Sequence, residues 1–153
     1  MNDIRTILVT TDFSDTSKKA FELAMKVSNC FEAKVILLYV GETHLPPLVL
    51  DYAVALPQGF DTQHKEQTIK KLEIEARHFG PESEAVVVEG TPHLEIVHLA
   101  EQREVDMIVM ATHGRGFFSH AILGSTTERV IRRAPCPVLV VRDPAHTESA
   151  GDG

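Results

Sequence analysis

The chain has 153 residues, of which 43% are hydrophobic and 24% charged, and its formal net charge is −7. These values are ordinary for one globular domain with one core and exclude disordered and fibrous classes. An acidic chain lacks the broad basic surface that DNA or RNA binding requires, and no apolar run is long enough to cross a bilayer. We therefore expect a single domain that binds neither nucleic acid nor membrane.

Five short apolar runs predict β-strands. Their cores are continuous rather than alternating in polarity, which indicates burial on both faces, as in parallel sheets. The predicted strands cover residues 4–10, 34–40, 84–88, 106–110 and 137–141.

Helical patterns lie between these strands. Ser14 or Asp15 caps the first helix, and Pro92 is the first helical residue of the third. Ser125 followed by Glu128 fits a capping box at the start of the fourth. The predicted helices cover residues 14–30 and 62–79, and two more begin at residues 91 and 125.

Strands that alternate with helices predict an α/β fold, namely an open, doubly wound, five-stranded parallel sheet with helices on both faces, Rossmann-like and in a single domain. Residues 1–142 form this domain, and residues 143–153 are expected to be a polar, flexible tail. Residues 41–60 contain three prolines and an apolar patch, so they form a long excursion. Two interpretations remain open for it: a lid over a site, or a loop that packs its leucines on the domain.

The most informative stretch follows the fourth strand. Residues 111–116 contain Gly114 and Gly116, and Gly124 with Ser125 then opens a helix. Glycines allow backbone N–H groups to approach a ligand closely, and a helix start adds free amides and a positive dipole end. The stretch therefore predicts a phosphate site. The alternatives are a tight turn for the first two glycines and a purely capping role for Ser125.

The first strand ends in Thr10, Thr11 and Asp12. In open α/β sheets, ligands lie beyond the carboxyl ends of the strands, where the strand order reverses. If the first and fourth strands are neighbours there, Asp12 faces the phosphate loop. Ionised Asp12 can accept hydrogen bonds from a nucleoside or hold Mg²⁺ beside phosphates, and no other metal ligand set is predicted. The alternative is that Asp12 caps the first helix.

Several catalytic classes are disfavoured. No GxxxxGK[ST] motif occurs, and the first β–α turn lacks GxGxxG, which argues against P-loop NTPases and standard dinucleotide dehydrogenases. His113 lies beside the phosphate loop, but no nucleophile with an assignable base accompanies it, and the other histidines read as surface residues. No catalytic residue is assigned. Cys30 and Cys136 lack metal-ligand spacing and predict two reduced thiols, and residues 1–6 carry no secretion signal, so we expect a cytoplasmic protein.

Over about residues 4–141 the chain resembles the universal stress protein family of the UspA type. The nucleotide-binding branch of that family carries Gly-x2-Gly-x9-Gly-[Ser/Thr]. Here Ala111 stands at the first glycine position, and Gly114, Gly124 and Ser125 match the rest. The resemblance extends to the Thr-Asp-Phe-Ser run at residues 11–14, to Gly-Thr-Pro at 90–92, and to residues 137–141.

The resemblance implies an ATP-binding domain, with adenine near Asp12 and Val40, and a homodimer in which residues 138–141 pair antiparallel across the two-fold axis. ATP is the cofactor implied, with Mg²⁺ as an option and no other cofactor. We expect Ala111 to be tolerated, since the later glycines and Ser125 are kept. The implied nucleotide-binding residues are Thr10, Thr11, Asp12, Val40, Met110, Ala111, His113, Gly114, Arg115, Gly116, Gly124, Ser125 and Thr126.

Three functions remain open on the sequence. The leading one is an ATP-dependent regulatory homodimer of the stress response, which interacts with a protein partner. The second is a slow ATPase or ATP-using enzyme, in which Asp12 or His113 places Mg²⁺ or a proton. The third is a dimeric interaction module that binds no nucleotide, in which Ala111 marks a lost site. Gly124 and Ser125 favour the first.

Overall fold

The computed structural model describes residues 3–42, 62–112 and 123–142. It confirms the predicted strands and helices, with small shifts at their ends. In chain order the elements are β1 (Thr6–Thr11), α1 (Asp15–Phe31), β2 (Lys34–Glu42), α2 (Thr62–Arg77), β3 (Glu84–Gly90), α3 (Pro92–Gln102), β4 (Met107–Ala111), α4 (Ser125–Arg133) and β5 (Val138–Val141).

The five strands form one parallel sheet in the order β3-β2-β1-β4-β5. β1 lies at the centre, where Ile7 is opposite Val35 of β2 on one side and Met107 of β4 on the other. The order of the strands reverses between β1 and β4. The structure therefore confirms both the fold class and the hypothesis that the first and fourth strands are neighbours.

The sheet is covered on both faces, which explains the continuous apolar runs. Ile7 and Val9 of β1 pack in a cluster with α1 and α2, whereas Leu8 packs in a second cluster with α3 and α4. All three side chains are fully buried. Successive residues of a strand point to opposite faces, so a strand with a helical layer on each side needs apolar residues at every position.

Helix boundaries follow local capping chemistry. Ser14 is the N-cap of α1, and its hydroxyl accepts the N–H of Ser17 at 3.3 Å, so Ser14 rather than Asp15 is the cap. α1 ends at Phe31, and its C-cap, Glu32, adopts the left-handed conformation with φ 52°. Pro92 is the first residue of α3, as predicted. β2 continues to Glu42, so the excursion predicted to begin at residue 41 begins later.

Parts of the sequence predictions lie outside the described residues. They are most of the excursion (residues 43–60), the tail (143–153) and the loop segment that contains His113. None of the helices in the described ranges is long and apolar enough to span a membrane.

Cys30 and Cys136 form no disulfide in the described structure. Cys30 is exposed on α1, and Cys136 is partly buried just before β5. Burial and the neighbouring Asp106 carboxylate raise the pKa of the Cys136 thiol. The raised pKa disfavours the thiolate, which is the reactive form.

The starts of the two central strands are joined by one carboxylate. Oδ2 of Asp106 accepts the N–H groups of Arg5 and Thr6, each at 2.9 Å, and the N–H of Asp106 donates to the carbonyl oxygen of Thr6. Arg5 and Thr6 precede Asp106 by 101 and 100 residues in the chain. Asp106 thus fixes β4 beside β1 at the end of the sheet opposite the predicted site.

Replacing Asp106 by alanine leaves two backbone N–H groups without their acceptor. We expect Asp106→Ala to lower the free energy of unfolding by about 1–3 kcal/mol, measured by urea denaturation. Asp106→Asn is the matched control, because its amide oxygen can still accept, and it should lose less. Equal stability of wild type and Asp106→Ala would contradict the role given to this carboxylate.

Candidate functional site

The carboxyl ends of β1 and β4 lie side by side, and the start of α4 is held against them. The N–H of Gly124 donates to the carbonyl oxygen of Thr112 at 2.7 Å. The structure thereby brings together predicted site residues from both ends of the chain. Those at this edge are Thr10, Thr11, Asp12, Val40, Met110, Ala111, Gly124, Ser125 and Thr126, whereas His113, Gly114, Arg115 and Gly116 lie outside the described residues.

The turn after β1 is held by its own side chains. The Thr11 hydroxyl accepts the N–H of Phe13 at 2.9 Å and is hydrogen-bonded to the Ser17 hydroxyl at 3.2 Å. Oδ1 of Asp12 accepts the N–H of Ser14 at 2.9 Å. Asp12 therefore closes a turn ahead of the helix and is not its cap, which is Ser14. The capping alternative for Asp12 is wrong.

Phe13, at the centre of this turn, has a left-handed backbone with φ 63°, which is unfavourable for a bulky residue. Its ring packs against Tyr39 with centroids 5.1 Å apart, and Nζ of Lys71 lies 4.2 Å from the ring centre. These contacts hold the strained conformation in place. The sequence analysis did not identify Phe13, Tyr39 and Lys71, because nothing in the local sequence pattern predicts a left-handed backbone conformation at a phenylalanine.

α4 begins at Ser125, as predicted, but its N-terminal cap differs from the prediction. Gly124, with φ −66° and ψ 151°, is the N-cap, and Ser125 is the first helical residue. The predicted capping box is wrong. The carboxylate of Glu128 pairs with Arg132 at 2.9 Å instead of accepting the backbone N–H of Ser125. No side chain in the described ranges caps this helix. The N–H groups of Ser125 and Thr126 thus belong to an uncapped first turn at the positive end of the helix dipole.

Ala111 occupies the first glycine position of the motif without backbone strain. It is the last residue of β4 and pairs with Val141 of β5. Among the described non-glycine residues, positive φ occurs at Phe13, Glu32 and Glu104, and not at Ala111. A methyl group is therefore compatible with the backbone there.

Thr127 fixes α4 to the sheet, and sequence reasoning missed it. Its hydroxyl donates to the carbonyl oxygens of Ala111 at 3.0 Å and Thr112 at 3.4 Å, and the side chain is buried. The N–H of Thr112 in turn donates to Val141 at 3.0 Å. A polar residue on the buried face of a helix was the available clue, since such a group needs a partner.

Removing this hydroxyl should loosen the start of α4. We expect Thr127→Val to lower the free energy of unfolding by about 1–2 kcal/mol, because two carbonyl groups lose their donor while the side-chain shape is kept. Thr126→Val is the control, since Thr126 is the preceding residue and makes no side-chain hydrogen bond within the described chain. If thermal unfolding gave the same stability for both variants, the anchoring role of Thr127 would be wrong.

The groups at this edge are suited to binding. Backbone amides and a serine hydroxyl at a helix start attract an anion, and the Asp12 carboxylate accepts hydrogen bonds. Within the described ranges, no group of three or more His, Cys, Asp and Glu side chains is placed to hold a metal ion. The arrangement fits a ligand that has an anionic end and a hydrogen-bond donor.

Comparison with known proteins identifies the family. The chain matches the Universal stress protein family over residues 3–142. Universal stress protein MJ0531 of Methanocaldococcus jannaschii is 34% identical over 144 residues, which cover 94% of this chain and 85% of that protein. The solved structure of MJ0577 from the same organism has a TM-score of 0.76 at 30% identity, with 93% of this chain and 98% of that chain covered. A universal stress protein solved in complex with cAMP shares the fold, with a TM-score of 0.65, 24% identity and coverage of 92% and 98%. This chain therefore belongs to the universal stress protein family.

Proposed function

We propose that the protein binds ATP in the crevice between β1 and β4 and acts as a nucleotide-dependent regulatory homodimer in the stress response. The observation that carries this proposal is the start of α4. Its first turn has no side-chain cap in the described structure, and it lies against the end of β4 beside the neighbouring β1. A phosphate group would supply the acceptors that this turn lacks.

The roles of the individual residues follow from their bonding. The N–H groups of Ser125 and Thr126, with the exposed Ser125 hydroxyl, would hold phosphate oxygens. The N–H of Gly124 is already donated to Thr112, so Gly124 contributes space rather than a donor. Asp12 would accept a hydrogen bond from the base or the ribose, and Val40 would provide an apolar contact for the base. ATP, when bound, supplies a triphosphate anion and a flat aromatic base.

The known relatives add limited support. The cAMP-bound neighbour is a complex of an adenine nucleotide with a protein of this fold. At 24% identity, the similarity shows a shared fold and nothing more. The proposal therefore depends on the geometry of this chain's own residues.

The dimer is proposed through β5, an edge strand of the sheet. Its residues Val138–Val141 are all partly exposed, and among the described strands it pairs with β4 alone. Antiparallel pairing with the same strand of a second copy would satisfy its outer edge and give a two-fold interface. The two free thiols fit a reducing compartment, so we place the protein in the cytoplasm.

The direct experiment is to purify the protein without added nucleotide, denature it, and identify any released small molecule by chromatography and mass spectrometry. Titration calorimetry of the stripped protein with ATP then measures affinity. Released ATP or measurable binding supports the proposal. A protein that carries no nucleotide and does not bind ATP at millimolar concentration would instead be a partner-binding dimer without nucleotide.

Gly124 allows a sharper test, because its φ of −66° is open to any residue. We expect Gly124→Val to keep the fold and to weaken ATP binding at least about tenfold, or about 1.4 kcal/mol, since the added side chain fills the space above the helix start. Gly124→Ala should fall between Gly124→Val and wild type.

Thr91→Val is the control for this series. Thr91 is the N-cap of α3 and also makes no side-chain capping bond, so the change is made at the same kind of position on the neighbouring helix. ATP affinity should be unchanged in this variant. A folded Gly124→Val protein with wild-type affinity would refute the placement of the phosphates at α4.

A further inference from the structure

The turn after β1 is strained at a residue whose conformation also affects Asp12. Phe13 has a left-handed backbone with φ 63°, which is rare for a bulky residue because its Cβ crowds the backbone. Its N–H donates to the Thr11 hydroxyl at 2.9 Å, and the next N–H, that of Ser14, donates to Oδ1 of Asp12 at 2.9 Å. The backbone conformation of Phe13 and the position of the Asp12 carboxylate are therefore linked.

Two other elements hold the Phe13 ring. Its centroid lies 5.1 Å from that of Tyr39 on β2, and Nζ of Lys71 on α2 lies 4.2 Å from the ring centre. An ammonium group within about 6 Å of an aromatic ring centre is attracted by the negative face of the ring. The next residue of α2, Leu72, is fully buried in the core cluster against which the Phe13 ring packs. The helix is thus anchored at the point from which Lys71 reaches the ring.

The contact with the ring is the interaction that the structure shows for Lys71. The side chain is exposed, and no carboxylate within residues 3–42, 62–112 and 123–142 forms an ion pair with it. Of the residues three and four positions away on α2, Glu75 alone is charged, and its carboxylate lies 3.9 Å from the His78 imidazole. Because fixing a lysine side chain costs rotamer entropy, its position over a strained residue indicates a role in holding that residue.

We propose that Lys71 is a positioning residue of the nucleotide site, which acts through the Phe13 ring to fix the turn that presents the Asp12 carboxylate. This inference rests on the proposed function, in which Asp12 accepts a hydrogen bond from the base or the ribose. It adds α2 to a site otherwise built from β1, β2, β4 and α4.

The two ends of the nucleotide are assigned to different parts of the fold, which gives this role a specific signature. The phosphates are assigned to the first turn of α4, and the nucleoside is assigned to Asp12. Loss of the ammonium group leaves the left-handed backbone of Phe13 with one contact fewer, so the turn spends more time in other conformations. Contacts to the nucleoside then weaken, and contacts to the phosphates do not. Lys71 therefore affects the affinity for ATP but not for inorganic triphosphate.

The test is titration calorimetry of nucleotide-stripped protein with ATP and with inorganic triphosphate. We expect Lys71→Met to weaken ATP binding about threefold, which matches the strength of a cation–π contact at an exposed site. Triphosphate binding should be unchanged. Lys71→Arg keeps a cation over the ring, so it should retain wild-type ATP affinity.

Lys70→Met is the matched control, because Lys70 is the preceding residue, is also exposed and has no ring contact in the described structure. It makes the same charge change on the same helix and should change neither affinity. A second control uses Phe13→Leu, which removes the aromatic face and keeps an apolar side chain. In that background Lys71→Met should have no further effect on ATP affinity, since both changes remove the same interaction.

Hydrogen exchange of the nucleotide-free protein, followed by NMR, reports on the turn without any ligand. The amide protons of Phe13 and Ser14, which donate within the turn, should exchange about threefold faster in Lys71→Met. They should exchange at the wild-type rate in Lys70→Met. Circular dichroism and thermal melting check the fold of each variant, and Lys71→Gln replaces Lys71→Met if the latter does not fold.

The outcomes separate this proposal from the nucleotide site itself. Wild-type protein that does not bind ATP would refute both. If wild type binds ATP and Lys71→Met binds it as tightly as Lys70→Met does, the nucleotide site stands and the role of Lys71 is wrong. The role is also wrong if Lys71→Met weakens ATP and triphosphate binding equally, because that result indicates a general effect of charge. Wild-type exchange rates of the Phe13 and Ser14 amides in Lys71→Met would likewise overturn it.

Discussion

The parallel pairing of β1 with β4 is the interaction on which the rest of this structure depends. Because β1 also pairs with β2, it is buried between two strands and two helical layers, and the strand order reverses beside it. That reversal places the ends of β1 and β4 side by side, with Asp12 directly after β1 and Ala111 as the last residue of β4. The Asp106 carboxylate reinforces the pairing at the far end of the sheet. Without this pairing, the residues of the candidate site would belong to separate halves of the chain.

Much of the fold could be predicted because its determinants are local. Continuous apolar runs predicted the positions of the strands, and Pro92 and Ser14 correctly predicted the starts of two helices. The start of α4 at Ser125 was predicted correctly, but the capping box was wrong, because the Ser125 to Glu128 spacing fits that motif whereas the Glu128 carboxylate pairs with Arg132. Phe13 and Thr127 could not be identified, since their roles depend on residues distant in the chain or in another element.

The proposed nucleotide site depends on α4, a helix of nine residues. Its first turn lies at the end of β4, which pairs with β1, and Thr127 ties the helix to that end. If nucleotide binding changes the position of this short helix, the affinity for a protein partner that contacts the helix changes with it. By thermodynamic linkage, the partner would then alter nucleotide affinity by the same factor.

The central position of β1 also affects the nascent chain during its synthesis. β1, β2 and β3 leave the ribosome before β4, so for part of synthesis β1 has a partner on one edge only. The N–H group of Thr6 lacks its acceptor until Asp106, which lies 100 residues later in the chain, has been synthesised. Until then Ile7, Leu8 and Val9 border an open strand edge of the kind that promotes aggregation. The nascent chain therefore passes through a state in which its central strand is open to pairing with another chain.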